Sequence, residues 1–388
     1  MSKLTKTILW LVVVVIILGG IYYGISKKPT AATTREPIKI GFIGPLSGGP
    51  SLWGQGSLDM INMAVEEINN QGGINGRKLV VIPEDGKCQP EPAVTAIQKL
   101  INVDKVKFIL GGHCSPETAA IAPIAENNKV FMLAGVSTAS GILDKYSYAF
   151  RISPPNWEQA CLIGKIALKK YNLKKIAVLT ASTAFTKSIS NDFVNCFKEQ
   201  GGEVVRVEEY TWPETTDFKT YLIKIKDSKP DAIFVATQGV EGVQILKQMS
   251  ELGIKAILTG NTVFIHKKTY AESGGLLPSN AFTVAPYVDV ANKKASELVA
   301  KYKAKYGKDV PYNLFFVGAA YDGVYMLKEA LEKCGENPTC VRDYFFNIRN
   351  WEGATAVFSF NEKGDPVLKV WRELRIVNGD EVFETISE

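Results

Sequence analysis

A chain of 388 residues with 46% hydrophobic and 22% charged residues is long enough for two or three domain-sized units of ordinary globular composition. The net charge is only +5, and Lys and Arg are scattered without a basic stripe interleaved with aromatics, which excludes a nucleic-acid partner. Six cysteines with no CxxC spacing and two histidines carry neither a zinc nor a dithiol redox signature.

The first seven residues form a short basic segment containing Lys3 and Lys6. They precede ILWLVVVVIILGGIYYGI (8–25), an uncharged run with no polar face and long enough to cross a bilayer. The run is longer than the apolar core of a secretory signal, so a signal anchor is favoured over a cleaved signal, although TAAT (30–33) offers a cleavage site. No cysteine precedes Cys88, which excludes a lipid-anchored cysteine at a mature N-terminus. Lys27 and Lys28 make the second flank basic as well, so flanking charge does not decide orientation. The cysteines do: Cys334 and Cys340 bracket a turn marked by Gly335, Asn337 and Pro338, a spacing that suits a local disulfide. Disulfides persist outside the cytosol, so the globular part is expected to be extracytoplasmic. Residues 26–37 are polar and turn-rich and read as a tether.

From Ile38 the pattern alternates. IKIGFI, KLVVI (78–82), KFIL (107–110) and VFMLA (130–134) are short apolar runs suited to buried parallel strands. Between them Leu58, Ile61, Val65 and Ile68, and then Ala93, Ile97 and Leu100, recur at helical spacing. The alternation restarts with strands at 174–180, 202–210, 231–237, 255–260 and 280–287, and helices around 187–200, 217–227 and 240–252. The tail from Thr355 to Phe383 reads as strands joined by a turn at Asn361–Pro366. The predicted fold is α/β, with two doubly wound sheets whose carboxyl edges face each other across a cleft.

The glycine-rich stretch GPLSGGPSLWGQGS (44–57) raises the question of a phosphate loop. Gly44 and Gly49 have Walker A spacing, but Pro50 stands where the phosphate-reaching lysine is needed. Gly54 and Gly56 are followed by Asp59, which breaks the dinucleotide fingerprint. No GxSxG elbow or paired carboxylates stand out, and His113 and His266 read as structural or surface residues rather than bases. The chain reads as a binding protein and not an enzyme, with no cofactor and no metal.

The phrases IGPLSGGPSLWGQGS, INNQGGINGRKL (68–79), TDFKTYLIKIKDSKPDAIFV (216–235) and YDGVYMLKEALEKCG (321–335), in this order and spacing, resemble the leucine-binding-protein family of type I periplasmic solute-binding proteins. The resemblance covers Ile38 to about Phe383. It implies two Rossmann-like lobes joined by three hinge crossovers, near Ser153–Pro155, Ala285–Tyr287 and Asn361–Gly364. One lobe would comprise 38–153 with 287–360, and the other 154–286 with 361–388. It also implies a monomeric receptor that captures a small polar or carboxylated solute, an amino acid or a relative of one. The receptor would pass that solute to an ABC permease and its ATPase. A ligand-sensing ectodomain acting through a separate signalling partner is the alternative.

By the same resemblance Cys88 and Cys114 should pair, bracing the loop that carries Ser115, whose hydroxyl would meet a ligand carboxylate. Ser137 and Thr138 would add backbone donors, the Thr138 hydroxyl would contact a ligand amine, and Trp53 would lie against the ligand. The second lobe departs from the pattern: Phe185 replaces a tyrosine, and Gln238 or Gly239 replaces an aromatic. Asn261 stands where amino-acid binders carry an acid for the α-ammonium, for which Glu241 or Asp322 could substitute. Cys161 and Cys196 lie on separate predicted helices, where unpaired core cysteines are the default and a disulfide stays open.

Overall fold

The computed structural model describes residues 10, 13, 14, 36–311 and 313–386. The chain divides into a unit Met1–Pro37 and a unit Ile38–Glu388. In the first, Trp10, Val13 and Val14 are helical. The rest of the expected membrane helix at 8–25 lies outside the described residues. Among the described residues no helix is long and apolar enough to cross a membrane.

The second unit starts with β1 (Ile38–Gly44), α1 (Ser51–Asn70), β2 (Leu79–Asp85), α2 (Pro90–Asn102), β3 (Phe108–Gly111), α3 (Ser115–Asn127), β4 (Phe131–Ala134) and β5 (Ala149–Arg151). The strands form one all-parallel sheet in the order β2-β1-β3-β4-β5. The chain then runs through α4 (Asn156–Lys169), β6 (Lys175–Ala181), α5 (Ala184–Glu199), β7 (Glu203–Tyr210), α6 (Lys219–Asp227), β8 (Ala232–Ala236), α7 (Glu241–Glu251), β9 (Ile257–Gly260), α8 (Lys267–Glu272) and β10 (Phe282–Pro286). Next come α9 (Lys293–Tyr306), α10 (Leu314–Cys334), α11 (Pro338–Phe346), the small pair β11 (Trp351–Glu352) and β12 (Val357–Phe358), and a closing hairpin of β13 (Trp371–Val377) and β14 (Asp380–Glu384). The second sheet has the order β14-β13-β10-β9-β8-β6-β7, parallel from β7 to β10 and antiparallel where β13 and β14 add to its edge.

Both sheets are covered on both faces at their centre, which is why β3, β4, β8 and β10 are buried along their whole length, whereas the edge strands β2, β7 and β14 carry charged residues. In β1, Ile38, Ile40 and Phe42 pack with Ile61 and Ile68 of α1 and with Phe315 and Leu327 of α10. Ile43 points the other way, into the layer with Ile97 and Leu100 of α2 and Ile121 of α3. In β8, Phe234 packs with Ile163 of α4 and Phe193 of α5, while its neighbours Ile233 and Val235 join Leu222 of α6 and Ile245 of α7.

The tail has the expected turn: residues 361–366 join β12 to β13, with the Asn361 N–H on the Asp365 carbonyl at 2.9 Å. A second turn, not expected, closes the hairpin at Asn378–Gly379, both with positive φ (53° and 92°), the conformation that an Asn-Gly pair supplies to a two-residue strand connection. The 361–366 turn also lies against the end of the first sheet. It is tied to the first sheet by Arg151, 1% exposed at the end of β5. Arg151 Nε donates to Asp365 Oδ1 at 2.6 Å, its Nη1 donates to the Ala139 carbonyl at 2.6 Å, and its backbone N–H meets the Gly364 carbonyl.

All six cysteines are paired: Cys88–Cys114, Cys334–Cys340 and, against the default expectation of unpaired thiols, Cys161–Cys196, which joins α4 to α5.

Removing one member of a buried ion pair strands the other charge. Asp365→Ala should therefore lower folding stability by about 3–5 kcal/mol in chemical denaturation. A change under about 1 kcal/mol would show that Arg151 is satisfied without its partner.

Candidate functional site

Ligands of parallel sheets sit beyond the carboxyl ends of the strands, because there the chain leaves the ladder with free backbone groups and helices begin. Here the two sheets present such ends to a common pocket of about 560 Å³, a figure that includes solvent at its mouth. Trp53 comes from the first turn of α1 after β1, and His113, Cys114 and Ser115 follow β3. Val136 and Thr138 follow β4, and Pro154 and Asn156 follow β5. From the second sheet come Phe185 after β6, Gln238 after β8, and Thr262 and Val263 after β9. Gln159 of α4, Phe316 of α10 and Trp371 of β13 complete the wall.

Five residues expected from sequence, Trp53, Ser115, Thr138, Phe185 and Gln238, are thus brought together. Ser137 and Asn261 are not among the lining residues. Ser137 is fully buried between two that are, and its carbonyl accepts from Arg151 at 3.4 Å. The Asn261 side chain holds its own loop, donating to the Thr237 carbonyl at 2.7 Å and accepting from the Phe264 N–H at 3.1 Å. Its neighbour Thr262 faces the pocket instead. A one-residue register choice in a loop is not readable from composition, and here it sets which side chain lines the pocket.

The two acids considered as substitutes are also committed elsewhere. Glu241 accepts from the Gln238 N–H at 2.7 Å and the Tyr210 hydroxyl at 3.1 Å, and borders a second, wider groove that shares Gln238 with the pocket. Asp322 sits on the buried side of α10, accepting from the Ala354 and Thr355 N–H groups and the Thr355 hydroxyl, with burial pushing its pKa up to about 6. Among the described residues that line the pocket, none is an Asp, Glu, Lys or Arg.

The polar groups of the wall are held in place by second partners. Ser115 Oγ accepts from the Ala139 N–H at 3.0 Å, so the hydroxyl proton is the part left to give. Behind it, the Glu117 carboxylate clasps both bridged cysteine loops, accepting from the Cys88 N–H at 2.9 Å and the Cys114 N–H at 3.0 Å. Gln238 Oε1 accepts from Thr183 at 2.8 Å while its amide nitrogen reaches Cys88 Sγ at 3.8 Å. Gln159 Nε2 donates to the Val284 carbonyl at 2.6 Å, and Asn156 Nδ2 to the Phe185 carbonyl at 3.2 Å. Asn156, Gln159, Phe316 and Trp371 carried no signal of their own in the sequence, since the fold alone brings them here.

His113 also lines the pocket, 1% exposed, with Nε2 3.5 Å from Ser57 Oγ. Burial holds its pKa down to about 3, so the imidazole is neutral near pH 7. His266 is structural, its Nδ1 accepting from the Lys268 N–H at the start of α8.

The loop after β4 is also bonded to α5. Ser140, beyond β4, donates its N–H to Ser188 Oγ at 2.8 Å and its hydroxyl to Asp192 at 2.7 Å, both on α5.

The His113 depression has a sign that can be checked. The unfolded chain takes up a proton near pH 6.5 and the folded chain near pH 3, so folding stability falls as pH drops through that window. The loss between pH 6.5 and 5 should approach about 2 kcal/mol, at about 1.4 kcal/mol per pH unit. Denaturation curves of wild type and His113→Gln should diverge in slope over this range. Parallel slopes would show that burial does not lower the His113 pKa on folding.

Against this geometry stand the comparisons with known proteins. A model of the periplasmic binding protein family matches residues 37–366. The Leu/Ile/Val/Thr/Ala-binding protein of Pseudomonas aeruginosa is 29% identical over 344 residues, 88% of this chain and 90% of that one. A Leu/Ile/Val-binding protein of Rhizobium johnstonii is 27% identical over 349 residues, 88% of this chain and 92% of that one. Among solved structures, a leucine-binding protein of Thermotoga maritima superposes with a TM-score of 0.81 at 26% identity, covering 90% of this chain and 98% of that one. A solute-binding protein of an ABC transporter from Rhodopseudomonas palustris, in complex with 3,4-dihydroxybenzoic acid, gives 0.76 at 27% identity, covering 90% and 96%.

Proposed function

The chain belongs to the periplasmic binding protein family, and from that premise we propose that it is an extracytoplasmic receptor of an ABC-type importer. It would capture a small carboxylated organic solute between its lobes and hand it to a permease. Family membership implies an extracytoplasmic location, and the three disulfides fit an oxidising compartment. In this reading 8–25 tethers the receptor to the membrane and 26–37 is the leash.

The observation that carries the reading is the pocket at the joint carboxyl edge of two sheets, lined by neutral donors and aromatic rings. Preorganised neutral dipoles hold a carboxylate without burying a counter-charge. The relatives are named for amino acids, and one is complexed with a dihydroxybenzoic acid; a carboxylate is what those ligands share. Ser115 is placed for it, with its acceptor side occupied and its position at the start of a thirteen-residue helix.

Closure would work by population shift. The ligand bridges the two lobes and so favours the form in which Ser140 meets α5. We assign one lobe to 38–153 with 287–360 and the other to 154–286 with 361–388, with hinges at Ser153–Pro155, Ala285–Tyr287 and Asn361–Gly364. The last of these is the turn clamped by Arg151.

The test begins with protein purified from its host, from which mass spectrometry identifies the released solute. Returning that solute should slow hydrogen exchange at Ser140 and along α5, and the loaded receptor should stimulate the ATPase of its co-purified permease. Absence of both effects would overturn the importer reading. Ser115→Ala should weaken solute binding by about 1–3 kcal/mol in calorimetry. Unchanged affinity would remove Ser115 from the site.

A further inference from the structure

Resting on the receptor reading, we propose that the solute is an aromatic monocarboxylate that carries a hydroxyl and no ammonium group, and that the pocket rejects α-amino acids by its chemistry rather than its size.

The argument starts from charge. An α-ammonium taken out of water needs a carboxylate or several well-placed acceptors. Among the described lining residues there is no acid, and Thr262 and Gln238 occupy the second-lobe side. Glu241 and Asp322 are engaged by N–H and hydroxyl donors of the fold. A carboxylate faces no such obstacle, because Ser115 retains a hydroxyl proton to give.

The second observation is the aromatic wall. Trp53 of α1, Phe185 of α5, Phe316 of α10 and Trp371 of β13 come from four separate elements to line one small space. Trp371 is fixed by its Nε1 donating to Glu158 at 2.8 Å. Rings so arranged meet another ring by offset and edge contacts worth more than the area they bury.

The third is a polar atom without an answer. Asn156 is 1% exposed, its Nδ2 is used on the Phe185 carbonyl, and its Oδ1 has no hydrogen-bond partner among the described residues. A buried acceptor left unpaired is costly, so a lining residue that carries one calls for a donor on the ligand. A ring hydroxyl supplies that donor without a charge. An ammonium supplies it too, but a single amide oxygen cannot replace the water it loses.

The experiment is calorimetry on the full-length chain in detergent, stripped of solute by unfolding and refolding, with 4-hydroxybenzoate, benzoate, L-phenylalanine and L-leucine. We expect 4-hydroxybenzoate to bind at least about tenfold more tightly than either amino acid and more tightly than benzoate, because polar mismatch discriminates more sharply than size. Asn156→Ala should abolish the preference for 4-hydroxybenzoate over benzoate. Thr262→Glu should weaken both benzoates and strengthen L-phenylalanine, a gain that a merely unfolded variant cannot give. Either amino acid binding as tightly as 4-hydroxybenzoate would overturn the ligand class while leaving the receptor reading intact. No binding by any of the four, in protein that circular dichroism shows to be refolded, would overturn the class as well. The receptor reading would then stand or fall on closure by the co-purified solute.

Discussion

A parallel sheet wound on both sides has no free face, and this constraint organises the molecule. Ile38, Ile40 and Phe42 serve one helical layer and Ile43 the other; Phe234 and Val235 divide in the same way in the second sheet. With both faces of the central strands buried, their backbone groups and the helix starts that follow come free at the strand ends. Two sheets that share one such edge concentrate their loops there. The pocket wall is accordingly a series of short post-strand loops rather than a patch on any one element, and its contributors lie up to hundreds of residues apart, from Trp53 to Trp371.

The same constraint explains why the wall is neutral. Loop residues at a buried edge are surrounded by carbonyl and N–H groups that must be satisfied, and short polar side chains do this well. Asn261 satisfies the Thr237 and Phe264 backbone, and Gln159 the Val284 carbonyl. Glu241 serves the Gln238 N–H and Glu117 the two cysteine loops. Charged groups near the cleft are thus spent on holding loops, and what remains toward the pocket is hydroxyl, amide and ring. Recognition and folding draw on the same residues, and here folding has taken the acids.

How much of this could be read from the chain alone follows from the range of the forces involved. Strands and helices whose pattern is local were legible: the run at 107–110 appears at Phe108–Gly111, and the helix around 240–252 at Glu241–Glu251. The three-residue β5 was not, because too few residues carry the alternation for it to stand out. In the tail the conspicuous turn at Asn361–Pro366, where Gly and Pro punctuate, is legible and joins β12 to β13, while the second turn at Asn378–Gly379 is not marked off from its flanking strands. For the pocket wall, Trp53, Ser115, Thr138, Phe185 and Gln238 are legible through the family resemblance of their loops, whereas Asn156, Phe316 and Trp371 depend on packing across the whole unit. The Asn261-for-Thr262 exchange shows the finest limit. Both residues follow β9, and only the hydrogen bonds of the closed loop determine which one turns inward.

The glycine-rich stretch after β1 shows how such a loop is made. It lacks the lysine of a phosphate loop, yet its glycines are not idle. A Cβ on Gly54 would lie 1.9 Å from the Pro45 carbonyl oxygen, so only glycine lets the first turn of α1 close this tightly on the strand end. The residue before it is Trp53, and the close turn brings that ring over the pocket. On the other side of the same loop, the Asp85 carboxylate accepts the Leu46 N–H at 2.9 Å and the Ser47 hydroxyl at 2.5 Å, which pins the loop to the end of β2. In a nucleotide binder such a loop offers its N–H groups to a phosphate; here the Leu46 N–H is given to an internal acid, and the loop presents an aromatic face. A pocket built in this way presents rings and neutral polar groups, with the Ser115 hydroxyl at the neighbouring strand end.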